Sequence, residues 1–439
     1  MRLKISKKNK RYFEYKGEIL PLMGSGLGQD LPRGRMLRDL QEIGVNQYLW
    51  LILPSQGRSH PYKMGPGAGV DNNWGGFDRA YWKKLQDYAA DLEKKNSTLF
   101  VFVFSTCVRK RGKGTWATHL WNAENGGPIS AANGVFPFYE RGSENFLFGK
   151  KPYKSLNSWK EKSQYRQEQL LAEVADTLKK FRNTAIILVW EIYAGLYDSK
   201  IGGAKDWACH MVRFINSLSD IPLGIGTWFA SQVEYVIKKT GIDIFGFMEG
   251  SVPTFPVMHG RKRDDLLHIG EYPIVVDGWQ AQLPDTRYSI LRKTRKCKYF
   301  LPGMEKENIT NICTHIVKSI QMGANISLPF DFWWNKITRY VTKDCGEQFP
   351  QVRKLDMKFV RAEIFKFMIR LKNELAAVDW SKEPGNKITD RWCEDLIPTF
   401  GAEPVKKPPV AVFTYSPKGG NPPLRVNFDA SKSYDPDGT

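Results

Sequence analysis

Carboxylates stand at the ends of short apolar runs at four places in this sequence. Glu191 follows Ile186-Ile187-Leu188-Val189-Trp190, Glu249 follows Phe247-Met248, Asp277 follows Ile274-Val275-Val276, and Asp331 follows Leu328-Pro329-Phe330. Brought together in pairs, such groups do general acid–base work: one keeps a proton to give, and the other stays ionised as nucleophile or as base for water. Indoles accompany them. Trp228, Trp279, Trp333 and Trp334 lie at or just beyond apolar runs, while Trp121, Asn122 and His119 fall in a long polar stretch. Flat rings with a polar handle suit stacking on sugar rings, and each ring taken alone suits a core equally well. Three of the carboxylates have a structural alternative too: a surface loop for Glu249, a buried brace for Glu191, a loop cap for Asp331. His119 by itself reads as readily as a surface histidine. The six histidines show no H-E-x-x-H or other ligand spacing, so no catalytic metal and no cofactor are expected.

The elements that would position these groups alternate regularly. Apolar β-rich runs at 19–23, 48–53, 99–104, 185–192, 223–228, 242–248, 272–276 and 325–330 predict eight strands. Between them lie helical windows such as Tyr81, Leu85, Tyr88 and Leu92, or Ile309, Ile312, Ile316 and Ile320, apolar at helical spacing. Eight strands alternating with helices predict an α/β chain, a closed (β/α)8 barrel with long βα loops, whose chemistry belongs at the strands' C-terminal ends. A doubly wound open sheet is the competing architecture. It would want G-x-G-x-x-G after the first strand, and Gly24-Ser25-Gly26-Leu27-Gly28-Gln29 fails that spacing. The barrel is expected over residues 1–381, a Pro- and Lys-rich linker over 382–409, and a separate segment over 410–439.

Several stretches resemble clan A glycoside hydrolases of the cellulase and mannanase type. They are Phe13 to Gly24 (an N-terminal hairpin and first strand), Trp121-Asn122-Ala123-Glu124-Asn125-Gly126-Gly127-Pro128, the fourth strand around Trp190-Glu191-Ile192, and Pro273 to Trp279. The resemblance implies cleavage of glycosidic bonds in a polysaccharide or oligosaccharide. It also implies an acid/base glutamate ending the fourth strand and a nucleophilic glutamate ending the seventh. This chain departs at both positions. The fourth-strand position falls on Gly195, which has no proton to give, and the seventh on Asp277, one methylene shorter. Glu249 on the sixth strand, Glu191 one layer deeper or Asp331 after the eighth strand would have to take over the missing role. Otherwise the barrel is a catalytically inactive glycan-binding or structural scaffold displayed on a cell or virion surface.

The last residues, Phe428-Asp429-Ala430-Ser431 followed by Ser433-Tyr434-Asp435-Pro436-Asp437-Gly438, closely resemble the opening strands of a PKD domain. The resemblance implies an incomplete immunoglobulin-like β-sandwich, an extracellular or surface setting and a longer natural protein. About thirty residues cannot bury a sandwich core, so this segment is expected to be disordered or to borrow partners. The first residues lack the apolar stretch of a secretory signal, and no run approaches the roughly 18 apolar residues of a membrane span. Sixty-five Lys and Arg against 46 Asp and Glu give a net charge of +19. That balance favours anionic partners, acidic glycans among them, and no nucleic-acid-binding motif accompanies it. Six scattered cysteines without C-x-x-C spacing read as free buried thiols.

Overall fold

Leu99 to Phe104 is apolar at every position, and all six side chains are buried. A strand covered on both faces belongs inside a parallel sheet clad in helices. In the computed structural model, which describes residues 1–25, 33–52, 61–62, 76–105, 157–190, 204–227, 230–249, 272–277, 305–321, 323–328, 357–382, 396, 414–416 and 427–429, that sheet closes on itself.

The chain opens with a small antiparallel sheet, β1 (Lys4–Ile5), β2 (Phe13–Tyr15) and β3 (Glu18–Leu20). The barrel strands follow: β4 (Met23–Ser25), β5 (Gln47–Leu51), β6 (Thr98–Ser105), β7 (Thr184–Trp190), β8 (Leu223–Thr227), β9 (Ile244–Glu249), β10 (Ile274–Asp277) and β11 (Asn325–Leu328). Each pairs in parallel with the next, and β11 returns to β4, so the ring has no open edge. An open sheet is excluded.

The helices among the described residues are α1 (Gly34–Glu42), α2 (Arg79–Lys94), α3 (Asn157–Leu178), α4 (Ala204–Leu218), α5 (Ala230–Thr240), α6 (Glu305–Gln321) and α7 (Met357–Ala376). Helix α2 illustrates how they dock. Asp78 caps its first turn by accepting from the amides of Ala80 and Tyr81. Tyr81, Leu85, Tyr88 and Leu92 form its buried face, and the Trp50 indole of β5 donates to the Tyr81 hydroxyl at 2.8 Å.

The first barrel strand is displaced from its expected place. Residues 19–23 do not form one strand, because Glu18–Leu20 folds back on β2 across Lys16-Gly17. Both turn residues have positive φ (56° and 93°), which suits a two-residue hairpin loop. Pro21, lacking an N–H, ends that pairing, and the chain then enters the barrel at Met23.

The hairpin closes the floor of the barrel. Phe13 stands edge-on to Phe100 of β6 and Phe245 of β9, with ring centroids 5.5 and 5.2 Å away. Leu3, Phe13, Tyr15 and Leu22 join Leu49, Phe100, Phe102, Ala185, Ile187, Phe245, Phe247 and Val275 in one interior cluster. Asn325, first residue of β11, ties the floor together. Its Oδ1 accepts from the Leu22 amide, and its Nδ2 donates to the carbonyls of Arg11 and Ile274.

Residues Met1–Ile397 make one compact unit and Pro398–Thr439 a second. Within the second, β12 (Thr414–Ser416) pairs antiparallel with β13 (Asn427–Asp429). The two segments thus pair with each other as a two-stranded ribbon.

Candidate active site

The interior cluster fixes which strand positions belong to the inside of the barrel. Phe245 and Phe247 lie in it, as do Val275, Leu49, Phe100 and Phe102. Lateral partners in a parallel sheet share a face, so the register carries that assignment around the ring. Gly224, the partner of Phe245, confirms it: a methyl there would fall 2.3 Å from the Phe245 ring.

The strands end, at the mouth, in Ser25, Leu51, Ser105, Trp190, Thr227, Glu249, Asp277 and Leu328. Two of these eight are carboxylates. They are neighbours: Asp277 ending β10 is in direct register with Glu249 ending β9. Glu249 shares strand parity with Phe245 and Phe247, and Asp277 shares it with Val275.

The same lateral row continues from Asp277 to Ser327 of β11, from Ser327 to Gly24 of β4, and from Gly24 to Gln47 of β5. Strands in such a barrel tilt by about 36°, so the row climbs from the first residue of β5 to the last residue of β9. Four of its five members are polar. Ser327 and Gln47 are wholly buried. One layer below the carboxylate positions the lining is apolar, with Phe247 edge-on to Phe102 at 4.9 Å.

Neighbouring contacts tie β8 and the approach to β10 to helix α5. The Tyr272 hydroxyl, on the approach to β10, donates to Glu234 of α5 at 3.4 Å. Burial, and after it the nearby Glu234 charge, pushes that phenol far above its ordinary range, so it remains a donor. Thr227, ending β8, donates to Gln232 of α5.

Of the groups singled out from sequence, the described structure brings together Asp277 and Glu249. Glu191, Asp331, Trp121, Asn122, His119, Trp228, Trp279, Trp333 and Trp334 lie outside the described residues, as does Gly195. Ser327, Gln47 and Gly24 were not anticipated. Their only signal in the sequence is a polar or side-chain-free residue at inward parity in an otherwise apolar strand. Among the described residues no group of three or more His, Cys, Asp and Glu could hold a metal ion, and no helix is long and apolar enough to cross a membrane.

No protein-family model matches this chain, and no curated protein matches it by sequence. Solved structures similar to it include a glycoside hydrolase family 5 mannosidase from Rhizomucor miehei (14% identity over 74% of this chain and 85% of that one, TM-score 0.45). Another is the endo-1,4-beta-mannanase of the same organism (8% identity, 75% and 90% covered, TM-score 0.43). A third is endo-glycoceramidase II from Rhodococcus sp. (14% identity, 71% and 73% covered, TM-score 0.42). At such identities and scores these likenesses carry no argument about chemistry. The fold stands on the closed ring of eight parallel strands itself.

Proposed function

We propose that this barrel is a glycoside hydrolase of the clan A type, acting on a polysaccharide or oligosaccharide, with Asp277 as nucleophile and Glu249 as acid and base. The observation that carries the reading is the direct register of the two residues at the mouth end of adjacent strands. Adjacent strands run about 4.8 Å apart. From that backbone spacing a Glu and an Asp reach the roughly 5 to 5.5 Å between carboxyls used by retaining enzymes.

The steps follow. An Asp277 carboxylate oxygen bonds to the anomeric carbon as the glycosidic C–O bond breaks, and the Glu249 proton goes to the leaving oxygen. Water then attacks the same carbon, Glu249 takes back a proton, and the bond to Asp277 breaks with retention of configuration. In this reading Glu249 fills the role that Gly195 cannot, from the strand beside the nucleophile rather than from the fourth. The tryptophans beyond the strand ends supply stacking surfaces, and the +19 charge favours an acidic glycan. The PKD-like segment suits an extracellular or surface-associated protein.

Glycine at position 195 favours a second reading, a barrel that binds glycans without cleaving them. Incubating the purified chain with plant, algal and microbial polysaccharides separates the two. Release of reducing ends that is lost by a factor of about 10³ or more in Asp277→Asn, and strongly reduced in Glu249→Gln, supports cleavage. Unchanged turnover in Asp277→Asn removes that residue from the mechanism; binding with no sugar release in the native chain selects the second reading.

A further inference from the structure

The base of the barrel, at the end opposite the mouth, concentrates positive charge. It is built from residues 1–20, from the described segments that return a helix to the next strand (43–46, 95–97, 179–183, 219–222, 241–243 and 323–324) and from residues 377–382. These carry twelve Lys and Arg against five Asp and Glu, where the whole chain has 65 against 46. Cations near helix C-termini often do no more than balance the helix dipole. Lys95 and Lys179 are of that kind, each paired with an aspartate of the helix just before it, Asp91 at 2.8 Å and Asp176 at 2.6 Å. Lys7, Lys8 and Lys10 are not. They stand exposed on the turn between β1 and β2, belong to no helix, and pair with no carboxylate among the described residues.

That turn is braced. Ser6 Oγ accepts from the amides of Lys8 and Asn9 at 3.2 and 3.3 Å, and Asn9 Oδ1 accepts from the Arg11 amide at 3.2 Å. Asn9 Nδ2 donates to the Trp380 carbonyl at 3.1 Å, and Tyr12 stands edge-on to the Trp380 ring with centroids 5.1 Å apart. Three ammonium groups are thus carried on a backbone already fixed, which spares a ligand the cost of ordering the loop. A second basic group lies across the hairpin. The Leu3 amide donates to the Arg182 carbonyl at 2.6 Å, and Arg2 donates to the Lys179 carbonyl. Lys180 and Arg182 are both exposed there. Six residues of chain part Leu3 from Asn9, so the two backbones stand at most about 20 Å apart. The aromatic rings of the base are turned inward: Tyr12, Phe13, Tyr15, Phe181 and Trp380 are buried. Spaced cations beside buried rings suit a partner held by charge and offer little to stacked bases.

We propose that the base of the barrel is a second, non-catalytic binding face, which holds an acidic polysaccharide through Lys7, Lys8, Lys10, Lys180 and Arg182 and leaves the mouth free. The choice of a glycan rests on the carbohydrate reading above; the face itself does not depend on Asp277 or Glu249. Binding of the full chain to polygalacturonate and to carrageenan is measured by calorimetry at increasing salt, with a short DNA duplex as the rival polyanion. The native chain is expected to bind an acidic glycan, more weakly as salt rises. Lys7→Ala/Lys8→Ala/Lys10→Ala is expected to lose about tenfold or more in affinity at low salt and to show a shallower salt dependence. Asp277→Asn is expected to bind as the native chain does. Lys83→Ala/Lys84→Ala/Lys366→Ala removes the same charge from α2 and α7, and is expected to leave binding unchanged. An equal loss in that control means that total charge does the holding, and overturns the proposal. So does undiminished binding by the base variant, a duplex bound more tightly than either glycan, or a native chain that binds neither glycan. A second measurement needs no variant. With glycan bound, Lys7, Lys8, Lys10 and Lys180 of the native chain are expected to be shielded from amine acylation while Lys83 and Lys84 label as before; unshielded base lysines overturn the proposal. Absence of sugar release leaves these readouts untouched and sinks the hydrolase reading alone.

Discussion

Two glycines of the barrel wall make room for different neighbours, and the difference is measurable. Beside Gly24 the closest atom to an added methyl is the far end of the Gln47 side chain. Beside Gly224 it is the Phe245 ring, at 2.3 Å, and that ring is held between Phe13 and Phe100 with centroids 5.2 Å from each. The ring has nowhere to turn. Gly224→Ala is therefore expected to cost about 1–3 kcal/mol by overpacking, read as a lower urea midpoint with an unchanged slope. A variant as stable as the native chain would mean that the aromatic layer yields more easily than its geometry implies. Asp277 and Glu249 were legible at this scale because each closes an apolar run at a strand end. Ser327 and Gln47 were not. A lone serine or glutamine in a strand forms no pattern along the chain, and its neighbours at 24, 249 and 277 become visible only once eight strands are in register.

Elements were the most legible level of this protein. Runs such as Leu99 to Phe104 announce strands buried on both faces, and their alternation with helices leaves few topologies open. The exception was the run at 19–23, where an apolar stretch is divided between two sheets by a hairpin turn and a proline. Local hydrophobicity cannot register such a division, since both halves are buried or half-buried by different partners. The consequence of that division is the floor. Phe13, fully buried, meets both the β6 and β9 aromatics. Phe13→Ala is expected to lower stability by about 3–5 kcal/mol, with thermal melting the measurement. A melting temperature within a degree or so of native would show that the hairpin covers the barrel without supporting it.

At the scale of the whole molecule, three buried phenols set an alkaline limit. Burial pushes Tyr48, Tyr81 and Tyr272 far above the ordinary tyrosine value near 10, with Glu234 adding to the effect at Tyr272. Above about pH 10 the unfolded chain releases protons that the folded chain keeps, so this contribution to stability is whole below that pH and declines as pH rises past it. Phenolate absorbance from these residues should therefore arrive together with loss of helical circular dichroism; ionisation of all three near pH 10 in a chain still folded would contradict the burial described.

The Asn325 side chain, bonded to the Arg11 carbonyl some three hundred residues earlier, has a further consequence. On the ribosome the floor hairpin is made first, but the wall it plugs is complete only when β11 emerges. Translation order and assembly order run in opposite senses, and the phenylalanine that will seal the base waits for a closed wall while the strands in between are made. Nascent chains halted before residue 325 should bind chaperones through the hairpin residues, and release them once β11 is out.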